Sequence, residues 1–191
     1  MKETELTVQV YNSIEETKSI LENKGFVFVK QFVLNDFYFS NKQTAELEKM
    51  EYIDIINNSI LLRDITGDVK ETELIFKNKE LDFNGNVVAE EKIKSKVENY
   101  KNTKAILLKS GLTCWCNLVQ NLFIYKKDNT ELAIQSVDDL GLFIEYEEEP
   151  NMKNLSKEEK FEKMKQFLLS LNLKIGNNFS CKKVYLKLKN K

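Results

Sequence analysis

Hydrophobic and polar residues alternate over short stretches along most of the chain. In the first stretch, Leu6, Val8 and Val10 share one face and polar side chains occupy the other, which is the period of two expected of a β-strand. Stretches rich in β-branched and aromatic residues predict further strands at 26–33, 36–39, 59–65, 72–77, 92–97, 116–125, 131–137 and 142–147. Turn signals between them occur at Gly67-Asp68, Asn84-Gly85-Asn86 and Asp128-Asn129.

Other stretches have the features of helices. Ser13 and Glu16 form a capping box that predicts a helix ending at Gly25, and Ser156 with Glu159 forms a second box. The second of these helices carries a hydrophobic stripe, which we expect to dock on the sheet, at Phe161, Met164, Leu168 and Leu171. Helices are also predicted at 43–50 and at 100–109, where Gly111 follows the second.

Hairpins rather than βαβ units connect the predicted strands. The pattern therefore predicts an α+β fold built on an antiparallel sheet of about eight strands that is able to close into a barrel. No repeat, low-complexity tract or linker divides the 191 residues, so we expect a single domain over 1–191.

Composition and charge exclude several classes of function. Lys and Arg number 29 against 30 Asp and Glu, so no positive excess favours nucleic acid or an anionic membrane as a partner. The chain has no histidine, which excludes Ser-His-Asp triads, His-ligated zinc and histidine general bases. The acidic start does not resemble a signal peptide, and no apolar stretch reaches the roughly 20 residues of a membrane span. We expect a cytoplasmic protein with its three cysteines as small, buried hydrophobic residues.

Two pairs of carboxylates stand two residues apart on predicted strands, Glu3 with Glu5 and Glu145 with Glu147. Residues two apart on a strand point the same way, so each pair places two carboxylates side by side. Such groups repel unless a cation compensates them, and their oxygens suit Mg²⁺ or Mn²⁺, which also bind phosphate. Basic side chains able to face that metal across a lumen are Arg63, Lys77, Lys94 and Lys96. The competing interpretation is that these acids and lysines only cover solvated strand faces.

Five segments occur in a distinctive order. They are Glu3-Thr4-Glu5-Leu6-Thr7, Asp36-Phe37-Tyr38-Phe39, Leu62-Arg63 with Leu74-Ile75-Phe76-Lys77, the stretch VDDLGLFIEYE at 137–147, and Tyr185-Leu186-Lys187-Leu188. They resemble the ExExK, D-x-Y-F, LRxR-hairpin-TxK, V-x-x-LG-x-F-x-E-x-E and S-Y-x-x-L motifs of the CYTH, or triphosphate tunnel, superfamily. That superfamily includes class IV adenylyl cyclases and thiamine triphosphatases. The stretch at 137–147 is the most specific match, and the segments together span nearly the whole chain.

The resemblance implies an eight-stranded antiparallel β-barrel with peripheral helices and a polar tunnel. Its ligand would be a small-molecule triphosphate such as ATP, thiamine triphosphate or tripolyphosphate, and its activity that of an adenylyl cyclase or a triphosphatase. The metal ligands for Mg²⁺ or Mn²⁺ would be Glu3, Glu5, Glu145 and Glu147. The phosphate-binding residues would be Arg63, Lys77, Lys94 and Lys96.

The departures from these motifs fall at charged positions. Thr7 occupies the position of the ExExK lysine, and Leu61 occupies that of the first LRxR arginine. In a K-x-R-x-x-Y strand that ends at Tyr125, Gln120 and Leu122 occupy the positions of the Lys and the Arg. Gln135 occupies a position where the family has an aspartate. Each missing cation removes a phosphate contact worth about 1.5–3 kcal/mol. A second hypothesis is therefore a catalytically degenerate tunnel-fold protein that acts as an anion- or partner-binding regulatory module.

Overall fold

The computed structural model describes residues 4–81 and 87–190. Its strands are β1 (Glu5–Val10), β2 (Val27–Ser40), β3 (Ile60–Gly67), β4 (Glu71–Leu81), β5 (Val87–Lys96), β6 (Thr113–Lys127), β7 (Thr130–Val137) and β8 (Gly141–Glu147). Its helices are α1 (Ile14–Asn23), α2 (Thr44–Leu47), α3 (Tyr52–Asn57), α4 (Tyr100–Lys109), α5 (Lys157–Ser170) and α6 (Lys183–Lys189), and a 3₁₀ turn covers Pro150–Met152. The predicted metal ligand Glu3 and the predicted turn at 84–86 lie outside the described residues.

The strands form one antiparallel sheet in the order β1-β8-β7-β6-β2-β3-β4-β5. The sheet curls into a half-barrel around a cavity, which confirms the predicted α+β fold and its eight antiparallel strands. The stretches predicted at 26–33 and 36–39 form one strand, β2, because Leu34 and Asn35 keep the alternation and pair with β3 without a break.

The main hydrophobic core lies on the outer face of the sheet, between β1, β7 and β8 and the helices α1 and α5. Leu6, Val8 and Val10 point into this core, as their alternation predicted. Met164 and Leu168 of α5 also lie there, so the predicted stripe does dock on the sheet. The helix α4 covers a second part of the outer face, where its Leu107 packs in a cluster with aromatic residues of β2.

A third cluster closes one end of the curled sheet from its inner side. Here α3 and α6, which the sequence pattern did not predict, pack against Tyr38, Leu61 and Trp115. The helix α6 contributes Val184 and Leu188 to this cluster. Leu61, which departs from the family motif, is therefore a buried residue of the closed end of the half-barrel.

The segment before α6 runs along the outer edge of β1. The amide of Thr7 donates to the carbonyl of Phe179 at 3.1 Å, and the amide of Cys181 donates to the carbonyl of Thr7 at 3.0 Å. These two contacts hold the start of α6 beside β1. The three cysteines are buried or half-buried and free of disulfides, as predicted. In the described part of the chain, no helix is long and apolar enough to cross a membrane.

Candidate functional site

The inner face of the half-barrel encloses a polar cavity of about 400 Å³. Each strand contributes alternate residues to it, since side chains two apart on a strand share a face. The cations in its wall are Lys30, Arg63, Lys77, Lys79, Lys92, Lys94, Lys182 and Lys183. The acids in its wall are Glu5, Asp36, Glu71, Glu73, Glu145 and Glu147. An interior lined mainly by ionised groups is costly to desolvate, which points to a charged ligand rather than an apolar one.

Three lysines surround one buried glutamate at this wall, and we call this group the lysine cluster. Glu90, which is 7% exposed, lies 3.0 Å from the Nζ of Lys79, 2.7 Å from that of Lys92 and 3.6 Å from that of Lys77. Burial acts to raise the pKa of Glu90, but the three lysines outweigh it and lower the pKa to about 2. The cluster therefore carries three cations around one anion.

The three lysines of the cluster differ in how well their charges are balanced. Burial would lower the pKa of Lys79 and of Lys92, but nearby acids, including Glu5 and Glu90, raise both. For Lys77 burial prevails over the attraction of Glu90, and its pKa falls to about 8. Lys77 is thus a buried cation that its surroundings compensate incompletely, as expected of a site that an anion completes.

Arg63 is held by a two-point contact from β2. Its Nε donates to Oδ1 of Asp36 at 2.7 Å, and its Nη2 donates to Oδ2 at 2.6 Å. Burial acts to lower the pKa of Arg63, and the carboxylate of Asp36 outweighs it and raises the pKa. Gln120 also donates to Asp36, at 3.2 Å, while its own buried Oε1 has no hydrogen-bond donor among the described residues. Gln120 lines the cavity, and a buried acceptor without a donor is unusual in a folded protein.

Three of the four predicted metal ligands come together beside the lysine cluster, where Oε2 of Glu5 lies 3.7 Å from Nζ of Lys92. One carboxylate oxygen each of Glu5, Glu145 and Glu147 lies within 4.8 Å of the others. The register explains this, because Glu5 on β1 pairs with Glu147 on β8, and Glu145 is two residues before Glu147. Three hard oxygen donors at this spacing fit Mg²⁺ or Mn²⁺ with phosphate oxygens or water completing the shell.

Lys183 reaches into this acidic group from the first turn of α6. Its Nζ lies 3.2 Å from Oε2 of Glu145 and also donates to Oε1 of Gln135. Gln135 donates in turn to the same oxygen of Glu145 at 2.9 Å. Burial would raise the pKa of Glu145, but the charge of Lys183 and these hydrogen bonds outweigh it and lower the pKa.

Comparisons with known proteins bear on the fold of the whole chain. No family model matches the chain. A curated protein of Methanocaldococcus jannaschii, named "putative adenylate cyclase", is 28% identical over 96% of this chain and 98% of its own length. Among solved structures, the PH1819 protein of Pyrococcus horikoshii OT3 has a TM-score of 0.72 at 17% identity, covering 98% of this chain and 100% of that one. The Hippeastrum protein HpAC1, a "putative adenylyl cyclase" described as having a dominant triphosphatase activity, has a TM-score of 0.64 at 13% identity, covering 98% and 95%.

The chain shares its fold with these solved structures. The predicted resemblance to the CYTH superfamily is thus confirmed, with matches that span nearly all of the chain. We call the cavity the tunnel; β1 carries Glu5 and β8 carries the pair Glu145 and Glu147. The specific reaction and substrate do not follow from a shared fold.

The tunnel contains most of the site residues that the sequence predicted. Arg63, Lys77 and Lys94 line it, the last at its rim with a side chain that is 48% exposed and 3.9 Å from Glu73. Lys96 lies outside the tunnel wall, because its side chain is 82% exposed and pairs with Glu71 at 2.5 Å. The apolar departure Leu122 does line the tunnel.

Sequence reasoning missed Lys79 and Lys183 as tunnel residues. For Lys79 a signal was present, since it is two residues after Lys77 and therefore on the same face of β4. For Lys183 no short-range signal existed, because its position depends on how the last helix docks against the closed end. Lys92 is the first residue of the predicted strand at 92–97, and its partner Glu90 lies just before that strand.

Proposed function

We propose that the tunnel binds the triphosphate chain of a nucleotide or of tripolyphosphate together with Mg²⁺ or Mn²⁺, and that it hydrolyses the triphosphate. The observation that carries this proposal is the lysine cluster, where Lys77, Lys79 and Lys92 surround the single buried anion Glu90. A surplus of buried cations is complementary to a polyanion, and charge-assisted contacts to phosphate are among the stronger hydrogen bonds in proteins.

The acidic group fits the second part of the ligand. A divalent cation held by Glu5, Glu145 and Glu147 would neutralise phosphate charge as bond cleavage proceeds. The lysines would bind and orient the phosphate oxygens, and Arg63 would present the donors that Asp36 leaves unused. Phosphoryl transfer depends mostly on positioning and electrostatic stabilisation, so the absence of histidine does not count against it.

Adenylyl cyclase chemistry is the second candidate, in which ATP gives cyclic AMP and pyrophosphate. The name of the Methanocaldococcus jannaschii relative favours it, while the description of the Hippeastrum protein favours hydrolysis. The chain retains a charged tunnel despite the departures at Thr7, Gln120 and Leu122, which supports ligand binding over loss of the site. A regulatory module that binds the anion without cleaving it is the third outcome to be tested.

The three outcomes differ in their products. The protein is incubated with ATP or tripolyphosphate in Mg²⁺ or Mn²⁺, and the products are separated by anion-exchange chromatography. ADP with inorganic phosphate from ATP, or pyrophosphate with inorganic phosphate from tripolyphosphate, supports the proposal. Cyclic AMP with pyrophosphate from ATP replaces it with the cyclase. Binding without either product leaves only the regulatory module. The variant Glu145→Gln/Glu147→Gln should lose the activity, whereas Glu98→Gln, at an exposed position that does not line the tunnel, should keep it.

A further inference from the structure

Thr7 and Lys183 meet at the same atom. The hydroxyl of Thr7 lies 3.5 Å from Oε2 of Glu145, and the Nζ of Lys183 lies 3.2 Å from that same oxygen. Thr7 is the position where the ExExK motif has its lysine, so a cation stands where that motif would place one. The cation is supplied from the opposite end of the chain.

The contact of Thr7 and Lys183 with Glu145 is held in place by the surrounding fold. Thr7 is 5% exposed, and the side chain of Lys183 is 15% exposed. Two backbone hydrogen bonds tie Thr7 to Phe179 and Cys181, and these fix the start of α6 directly beside Thr7. Val184, the next residue, is buried among residues of the closed end and limits rotation of the helix.

Gln135, which also departs from the family motif, suits a lysine that comes from α6 instead of from Thr7. Its Oε1 accepts a hydrogen bond from Lys183, and its Nε2 donates to Glu145 at 2.9 Å. A neutral amide does both, whereas an aspartate could not donate and would add a second negative charge. With glutamine at this position, Lys183 pairs with Glu145 at 3.2 Å without the second carboxylate that an aspartate would place against it.

We propose that Lys183 replaces the lysine missing at Thr7 and contacts the phosphates of a bound triphosphate. This inference rests on the proposed function, since it assigns a further phosphate-binding residue to the same tunnel. In this arrangement one cation still lies next to the metal-binding acids, but it is carried by α6 rather than by β1.

The test compares three variants by titration with tripolyphosphate in Mg²⁺ and by melting temperature without ligand. Lys183→Met should weaken tripolyphosphate binding about tenfold or more, the loss of one charge-assisted contact. Thr7→Lys in the Lys183→Met background should recover most of that affinity. The matched control is Lys187→Met, since Lys187 is on the same helix but pairs with the exposed Asp139 at 2.5 Å. It should bind like the wild type.

The melting temperature without ligand tests independently whether a lysine at position 7 can take the place of Lys183. Lys183→Met leaves Glu145 without its cation and should lower the melting temperature by several degrees, and adding Thr7→Lys should restore it. Unchanged or tighter binding by Lys183→Met would overturn the inference while leaving the proposed function standing. The inference is also overturned if Thr7→Lys restores neither affinity nor stability. If the wild type itself fails to bind tripolyphosphate, the proposed function falls and the phosphate contact falls with it.

Discussion

Arg63 and Asp36 lie directly opposite each other on β3 and β2, and their side chains form a two-point ion pair inside the tunnel. Asp36 is 0% exposed, and it balances the charge of Arg63 before any ligand is present. The uncompensated positive charge of the tunnel therefore comes from the lysines. The pair instead fixes the direction in which the remaining guanidinium donors point.

Replacing Asp36 with Asn should destabilise the protein, because it leaves the guanidinium without its counter-charge. Breaking a buried ion pair from one side costs about 3–5 kcal/mol, and we expect the lower end because part of Arg63 is solvated. Chemical denaturation measures the difference. Asp64→Asn is the control, since Asp64 is the next residue on β3 and accepts a hydrogen bond from the hydroxyl of Thr72 at 3.0 Å. A loss below about 1 kcal/mol for Asp36→Asn would show that the pair has no structural role.

The sequence predicts the sheet well, because one face of most strands packs on a core and the alternation is clear. The helices α1, α4 and α5 are equally well marked by caps or glycines. By contrast, α3 and α6 are short and owe their stability to packing against the closed end, which no local pattern encodes.

The site is predictable only in part, for a related reason. Motif spacing is enough to pair Glu145 with Glu147 and to place them beside β1. It does not show that the side chain of Lys96 lies in solvent outside the tunnel, because this depends on how far β5 extends beyond the tunnel wall. Nor does it show that Lys183 lies at Thr7, which depends on the docking of the last helix.

The reduced pKa of Lys77 predicts a specific dependence of stability on pH. Its pKa is about 8 in the folded protein against an ordinary value of 10.5, because burial outweighs Glu90 and because Lys79, Arg63 and Lys92 repel it. Between these two values the unfolded chain binds more protons than the folded one. The free energy of unfolding should therefore rise with pH from about 8 to about 10.

This rise should be missing from the variant Lys77→Met. Lys79 and Lys92, whose pKa values are raised, act in the opposite direction, but they do so in both proteins, so the difference between wild type and variant isolates Lys77. Denaturation curves at several pH values provide the measurement, with the exposed Lys101→Met as control. An identical pH dependence in the wild type and in Lys77→Met would contradict the assignment.

Divalent cations should stabilise the ligand-free protein through Glu5, Glu145 and Glu147. Binding to the folded state alone at a hundredfold excess over Kd adds about 2.7 kcal/mol. For a domain of this size each kcal/mol raises the melting temperature by about 2–4 °C, so Mg²⁺ or Mn²⁺ should raise it by several degrees.

Glu145→Gln/Glu147→Gln should abolish that increase, because glutamine keeps the shape and removes the charge. The control is Glu98→Gln, at an exposed position that does not line the tunnel, which should leave the increase intact. If millimolar Mg²⁺ and Mn²⁺ leave the wild-type melting temperature unchanged, these acids form only a polar surface of the tunnel.

The most direct test of triphosphate binding is calorimetric titration of the wild type with tripolyphosphate in millimolar Mg²⁺ or Mn²⁺, compared with variants of the lysine cluster. We expect saturable binding at one site, weakened about tenfold or more by Lys79→Met and by Lys92→Met, each of which removes one charged contact. Lys101→Met, at an exposed position of α4 outside the tunnel, should titrate like the wild type. No binding heat at millimolar tripolyphosphate with either metal, or equal affinity in all four proteins, would contradict the assignment of the tunnel as a triphosphate site.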